Sequence, residues 1–218
     1  MNLDFSVLGP FMPTLMAGAW MTVKISFLAL IFGLILGILG AFGRLSKSRI
    51  IEVIVGAYVW VFRGTPLLVQ LFIIYFGLPQ LGIDFTPLQA AIVGLSLNTG
   101  AYATEIVRSA LKAVDKGQYE AATALGMPWW VAMYRVVGPQ ATKILVPSMV
   151  NQFVMTIKNS SMVSLLTITE LFRTGEAIIV STFRSLEVYT VIAVMYLLIT
   201  SVLMILASRL EKGMSAYD

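Results

Sequence analysis

From Met16 to Phe42 the chain carries no charge but Lys24, and the run exceeds the ~20 residues that an α-helix needs to cross a hydrocarbon core. Comparable runs cover 51–76, 88–106, 144–166 and 189–207. Their sum leaves too little polar surface for a water-soluble domain: 58% of the residues are hydrophobic, 12% are charged, and the mean hydropathy is +0.88. The expectation is an all-α membrane protein with five transmembrane helices in one domain spanning 1–218. Lys24 lies near one end of its run, where its ammonium can snorkel to the headgroups.

Charge sets the orientation. Arg44, Lys47 and Arg49 follow the first span, and Arg108, Lys112, Lys116, Arg135 and Lys143 follow the third, which places both loops in the cytoplasm. The loop GLPQLGIDFTP holds Asp84 and no basic residue, and FRTGEAIIVSTFRSLE is nearly balanced, as external segments are. The N-terminus is then outside and the C-terminus, after Arg209 and Lys212, cytoplasmic. The opening MNLDFSVLGPFMPT has no basic residue and no small-residue cleavage site after it, so the first span is expected to be retained. A net charge of +4 would suggest nucleic acid in a soluble protein; here it is topological, and no nucleic acid partner is expected. Cysteine and histidine are both absent, which excludes disulfides, thiolate metal sites, a cysteine nucleophile and a histidine base or proton relay.

Polar residues inside the spans converge. The second span is interrupted by FRGTPLLVQ, where Gly64 and Pro66 weaken helical hydrogen bonding beside Arg63, Thr65 and Gln70. Irregular backbone at membrane depth is tolerated only where it is buried in protein or lines a cavity. The third span places Asn98, Thr99, Tyr102 and Glu105 near one helical face, and the fourth carries Asn151, Gln152, Thr156, Lys158, Asn159, Ser160 and Ser161. Each has a plainer role open to it: Arg63 as an interfacial residue, Asn98 and Thr99 as interhelical hydrogen bonds, Tyr102 as packing. Together they predict a polar binding site, with backbone groups freed at Gly64 and Pro66 available to an ammonium and a carboxylate. Glu105 is expected to be neutralised by Arg108 at i+3. Gly33, Gly37, Gly40 and Gly43 form a small-residue stripe for close helix approach.

The cytoplasmic stretch KGQYEAATALG, Lys116 to Gly126, reads as a short exposed helix. Gly126 and Pro128 end it, Glu120 is expected near its positive end, and Ala121, Ala122, Ala124 and Leu125 make a face too small for a core. Such a surface suits the grip of another protein; an ordinary loop helix is the alternative. There is no G-x-x-x-x-G-K-[ST], so ATP-driven transport would need a separate ATPase. Five spans leave no room for paired inverted repeats, which implies a dimer.

EAATALGMPWWVAMYRVVGP resembles the EAA signature of ABC importer permeases, with Glu120, Ala121, Ala122, Gly126, Val136 and Pro139 in register and Gly138 where leucine is usual. FRGTPLLVQLFIIYFGLP, LNTGAYATEIVRSALKAVDKGQ and the IKNSS segment are similar to the polar amino acid branch, with GLPQLGID and GLSLNTGAY closest to cystine-type members. The resemblance implies a type I importer permease with a coupling helix in segment 116–139, in a bacterial inner membrane. It implies a second permease copy or paralogue, a pair of ABC ATPase subunits that hold ATP and magnesium, an extracytoplasmic amino acid-binding protein, and no cofactor on this chain. It places substrate contacts at Arg63, Gly64, Thr65, Pro66, Gln70, Asn98, Thr99, Tyr102, Gln152, Thr156, Asn159 and Ser160, and ATPase coupling at Glu120, Ala121, Ala122 and Gly126. Many members read Lys-Asp-Thr-Ser where this chain reads Lys158-Asn159-Ser160-Ser161, so the acid that answers a cationic side chain is absent. A zwitterion with a neutral side chain, such as cystine or glutamine, is expected. An ion-coupled carrier or a channel without an ATPase is the alternative.

Overall fold

A computed structural model describes residues 3–215, and every regular element among them is helical. A short 3-10 segment, Phe5–Phe11, leads into α1 (Met12–Arg44). The second expected span is two helices, α2 (Arg49–Gly64) and α3 (Leu67–Phe72), and α3 continues through a π turn (Ile73–Gly77) and a 3-10 turn (Leu78–Leu81). Then come α4 (Pro87–Ala113), α5 (Lys116–Ala124), α6 (Trp129–Ala132) with a π turn (Met133–Val137), and α7 (Gly138–Asn159) with a 3-10 extension (Ser160–Leu166). The chain ends in α8 (Leu171–Thr182) and α9 (Ser185–Ser215).

By length and apolarity, Phe5–Arg44 and Ser185–Arg209 can each cross a bilayer, and Arg49–Gly64 with Leu67–Leu81 makes a third candidate bent by 110°. Helix α4, with 27 residues, is about 40 Å long, yet it is too polar to be recognised as a span by composition. That polarity faces inward: Ser96, Asn98, Thr99 and Thr104 are all buried.

The largest helix–helix interface joins α1 and α4, and the glycine stripe makes it. A side chain at Gly33 would meet the Thr99 methyl at 2.8 Å, one at Gly37 would meet Ala103, and one at Gly40 would meet Thr104. Small faces about two turns long let the two backbones touch, which substitutes packing for the hydrophobic drive that lipid does not supply. Gly43 belongs to a different contact, against Val55 of α2. Gly37→Leu forces the α1–α4 pair apart and is expected to cost about 3 kcal/mol or more. Loss of the monodisperse peak on gel filtration of the solubilised chain measures it; an unshifted, heat-resistant peak would show the interface to be slack.

A second core lies between α1, α8 and α9. Glu170, fully buried, caps α8: its carboxylate accepts from the backbone N–H groups of Phe172 (3.0 Å) and Arg173 (2.7 Å), from Thr22 Oγ1 (3.2 Å) and from Tyr196 Oη (3.0 Å). The stretch expected as an external loop is thus largely helical, docked on the bundle through an acid that accepts four hydrogen bonds.

Candidate functional site

The break between α2 and α3 occurs because Pro66 has no N–H and disfavours the helical conformation at Thr65, which is extended (φ −120°, ψ 151°). Carbonyls at the end of α2 lose their helical partners there. Side chains take them over. Gln70 Nε2 donates to Phe62 O (2.9 Å), Thr65 O (3.1 Å) and Thr65 Oγ1 (2.9 Å), while Thr65 Oγ1 donates to Val61 O (2.8 Å). Asn98 Nδ2, arriving from α4, donates to the same Phe62 O (3.2 Å) and to Gln70 Oε1 (3.0 Å). The break is therefore stapled, and the freed carbonyls are occupied by Gln70 and Asn98 instead of standing open for a ligand's ammonium. Tyr58 Oη adds a bond to Leu97 O (2.6 Å), tying α2 to α4 just below.

Beside the staple lies a cavity of about 400 Å³. Thr65, Pro66, Asn98, Tyr102, Gln152 and Asn159 line it, together with the apolar Leu67, Leu68, Met155 and Met162. Six of the twelve residues expected at a site thus share one wall, contributed by the helix break, α4 and α7. Both amide protons of Asn98 are committed, which leaves its Oδ1 as an acceptor. Among the described residues, no charged side chain lines this cavity.

The other six lie elsewhere. Arg63 and Gly64 line a neighbouring cavity of about 390 Å³ with Arg44, Gly56 and Glu105, and the Arg63 guanidinium sits 5.2 Å from the ring centroid of Tyr102. Gln70 works within the staple. Thr99 Oγ1 and Thr156 Oγ1 are buried and 3.1 Å apart, bridging α4 to α7, and Ser160 is buried with its hydroxyl on Ile157 O (2.8 Å). Lys158 lines a separate hollow with Phe172, Tyr189 and Tyr196, away from the cavity at the break. Glu105 is bound by Arg108, as its spacing predicts, and also by Arg44 Nε at 3.7 Å. Arg44 carries no sequence signal of this role, because it lies 61 positions away across the first loop.

After α4, α5 begins at an Asp115 cap whose carboxylate accepts from Gly117 N (2.7 Å). Glu120 stands mid-helix, so the anion at the positive end is Asp115 and not Glu120, a correction to the expectation. Gly126 is left-handed (φ +75°) and closes a Schellman motif, with Gly126 N on Thr123 O (2.9 Å) and Met127 N on Ala122 O (3.1 Å). Ala122 is buried, whereas Glu120, Ala121, Ala124 and Leu125 are exposed.

The family described as binding-protein-dependent transport system inner membrane component matches residues 29–216. The chain belongs to that family. Among relatives of this permease are the glutamine transport system permease protein GlnP of Escherichia coli (39% identical, covering 98% of this chain and 99% of that one) and the arginine transport system permease protein ArtQ of Bacillus subtilis (38%, all of both). The L-cystine transport system permease protein TcyB of Bacillus subtilis is 36% identical over 95% of this chain and 89% of its own. A crystal structure of an amino acid ABC transporter with histidines superposes with a TM-score of 0.92 at 38% identity, covering 98% of this permease and all of that chain. The methionine ABC transporter MetNI, at TM-score 0.80 and 23% identity, shares the fold. The permease thus has the type I ABC fold, and its family works with a binding protein and a separate ATPase.

Proposed function

We propose that the chain is the permease subunit of an ATP-driven importer of polar L-amino acids with neutral side chains, working by alternating access in a bacterial inner membrane. Relatives named for glutamine, arginine and cystine transport support the amino acid class. The observation that carries the narrower substrate is the lining of the cavity at the α2–α3 break: Thr65, Asn98, Tyr102, Gln152 and Asn159 offer hydroxyls and amides and no charge. A cationic side chain beside them would stay unpaired, at a cost of several kcal/mol.

In this reading α1, the bent α2–α3 pair, α4, α7 and α9 are the five spans, with the N-terminus outside and α5 in the cytoplasm. Two permeases, identical or paralogous, pair with two ATPase subunits and an extracytoplasmic binding protein. Glu120, Ala121, Ala122 and Gly126 belong to the coupling helix, whose exposed small-residue face enters the ATPase. A proton-driven carrier is less well supported, since Glu105 is held by Arg108 and Arg44 and Glu170 is committed to capping α8.

Asn159→Asp tests the substrate. Uptake into proteoliposomes carrying the whole transporter should shift towards arginine or lysine relative to glutamine by on the order of tenfold, the worth of one charge-assisted hydrogen bond. An unchanged preference in an assembled variant would remove Asn159 from the substrate's path.

A further inference from the structure

A cavity of about 770 Å³ lies away from the helix break. It lies behind α5, where the cytoplasmic ends of α1 and α4 meet α5, α6 and the π turn after it. Phe42, Leu45, Leu111, Tyr119, Trp129 and Met133 make an apolar, aromatic wall, with Phe42 and Trp129 in edge contact at 6.3 Å. Lys112 and Lys116 stand at its rim, both exposed, and neither is ion-paired among the described residues. Asp115, the acid on the lining, is already committed to the Gly117 amide.

Two further observations say what fits there. Ile31, Ile35, Ile38 and Phe42 recur at i, i+4, i+7 and i+11 on α1, all exposed, so an uncovered apolar stripe runs down the first span and ends inside this cavity. At 100° per residue Glu120 and Ala124 each lie about 160° from the buried Ala122, so they make the face of α5 turned away from the bundle, with Lys116 at its edge one turn before Glu120. An ATPase that grips that outer face leaves the inner one unfilled.

We propose that this cavity binds one anionic glycerophospholipid of the cytoplasmic leaflet, its phosphate between Lys112 and Lys116 and an acyl chain along Phe42 and the α1 stripe. A basic pocket between helices on the cytoplasmic side, continuous with lipid-facing apolar surface, has the charge and shape such a lipid presents. The bound lipid fills the space between the bundle and α5 and fixes the height of α5 relative to the membrane. The choice of leaflet rests on the proposed orientation, with α5 in the cytoplasm, and not on the transported substrate.

Trp129 reports on it directly. With Trp20, Trp60 and Trp130 replaced by Phe, the full chain in detergent micelles is titrated with phosphatidylglycerol or phosphatidylcholine brominated in the acyl chain, and Trp129 quenching is followed. Phosphatidylglycerol should quench at concentrations about 25-fold lower, because each of the two lysines near an anionic headgroup contributes a factor of about five. Lys112→Gln with Lys116→Gln should erase the difference, and Lys112→Arg with Lys116→Arg should keep it. Equal quenching by the two lipids in the unmutated cavity, selectivity that survives the double Gln variant, or no quenching by either would overturn the proposal. Native mass spectrometry of the four-tryptophan chain with the same unbrominated lipids gives the same comparison should the single-tryptophan variant not fold: retained phosphatidylglycerol lost in the double Gln variant supports it, and equal retention of both lipids sinks it.

Discussion

Gly126→Asp is expected to abolish uptake while leaving a folded, inserted permease. Gly126 has φ +75°, and a side chain there meets nothing within 4 Å inside the chain, so the substitution carries only the left-handed backbone cost of about 1 kcal/mol. The Schellman bonds from Gly126 and Met127 can persist, since Asp tolerates this conformation better than most residues. What changes is the outer surface of α5 at its exit: a carboxylate now projects beside the exposed Leu125 and Ala124 into the space proposed for the ATPase groove. Substrate-stimulated ATP hydrolysis in proteoliposomes and retention of the ATPase during purification measure the effect, with loss of one or both expected. Gly126→Asn, which keeps the left-handed conformation without the charge, should retain more activity. Full uptake in the Asp variant would return α5 to the status of an ordinary loop helix.

Much of this architecture is visible in residue patterns, and the parts that are not share one cause. Gly64 and Pro66 announce the break in the second span because their effect is local, and the α5 terminus follows from Gly126 and Pro128 for the same reason. The glycine stripe of α1 predicts a close helix partner without naming it; the partner, α4, is identified only when Thr99, Ala103 and Thr104 come opposite. Asn98 was legible as polar in an apolar span, yet its use, holding Phe62 O and Gln70 together, needs contacts 28 and 36 positions apart. Glu170 with Thr22 is more distant still, at a separation of 148, and its bond from Tyr196 spans 26 positions, so no local spacing marks it. Glu120 is not the acid at the positive end because, in a helix that starts at Lys116 as expected, it falls in the second turn, and the cap before Lys116 is Asp115. Ser160 and Thr156 read as ligand groups because a hydroxyl in a span is ambiguous: it bonds a substrate or, as here, the carbonyl a turn behind it.

The staple makes the sharpest demand on a single side chain. Gln70 is 6% exposed and serves Phe62 O, Thr65 O and Thr65 Oγ1 with its amide nitrogen, and Asn98 with its oxygen. Gln70→Leu keeps the volume but removes every one of these bonds. Thr65 O then has no side-chain donor, Asn98 loses one acceptor, and Phe62 O keeps only Asn98. At about 1–3 kcal/mol for each buried polar group left without a partner, the loss is on the order of 3 kcal/mol, concentrated at the break between α2 and α3. The bend is expected to loosen first, moving Thr65, Pro66 and Asn98 off the wall of the neutral cavity, so uptake should fall by at least about tenfold even at temperatures where the chain stays folded. Gln70→Glu separates charge from shape: an ionised carboxylate cannot donate to Phe62 O or Thr65 O, so it should be at least as damaging as leucine. Thermal unfolding followed by tryptophan fluorescence, alongside proteoliposome uptake, reads both effects. A Gln70→Leu permease with unshifted unfolding and full uptake would show that the break holds itself, and that Gln70 is a bystander to the cavity beside it.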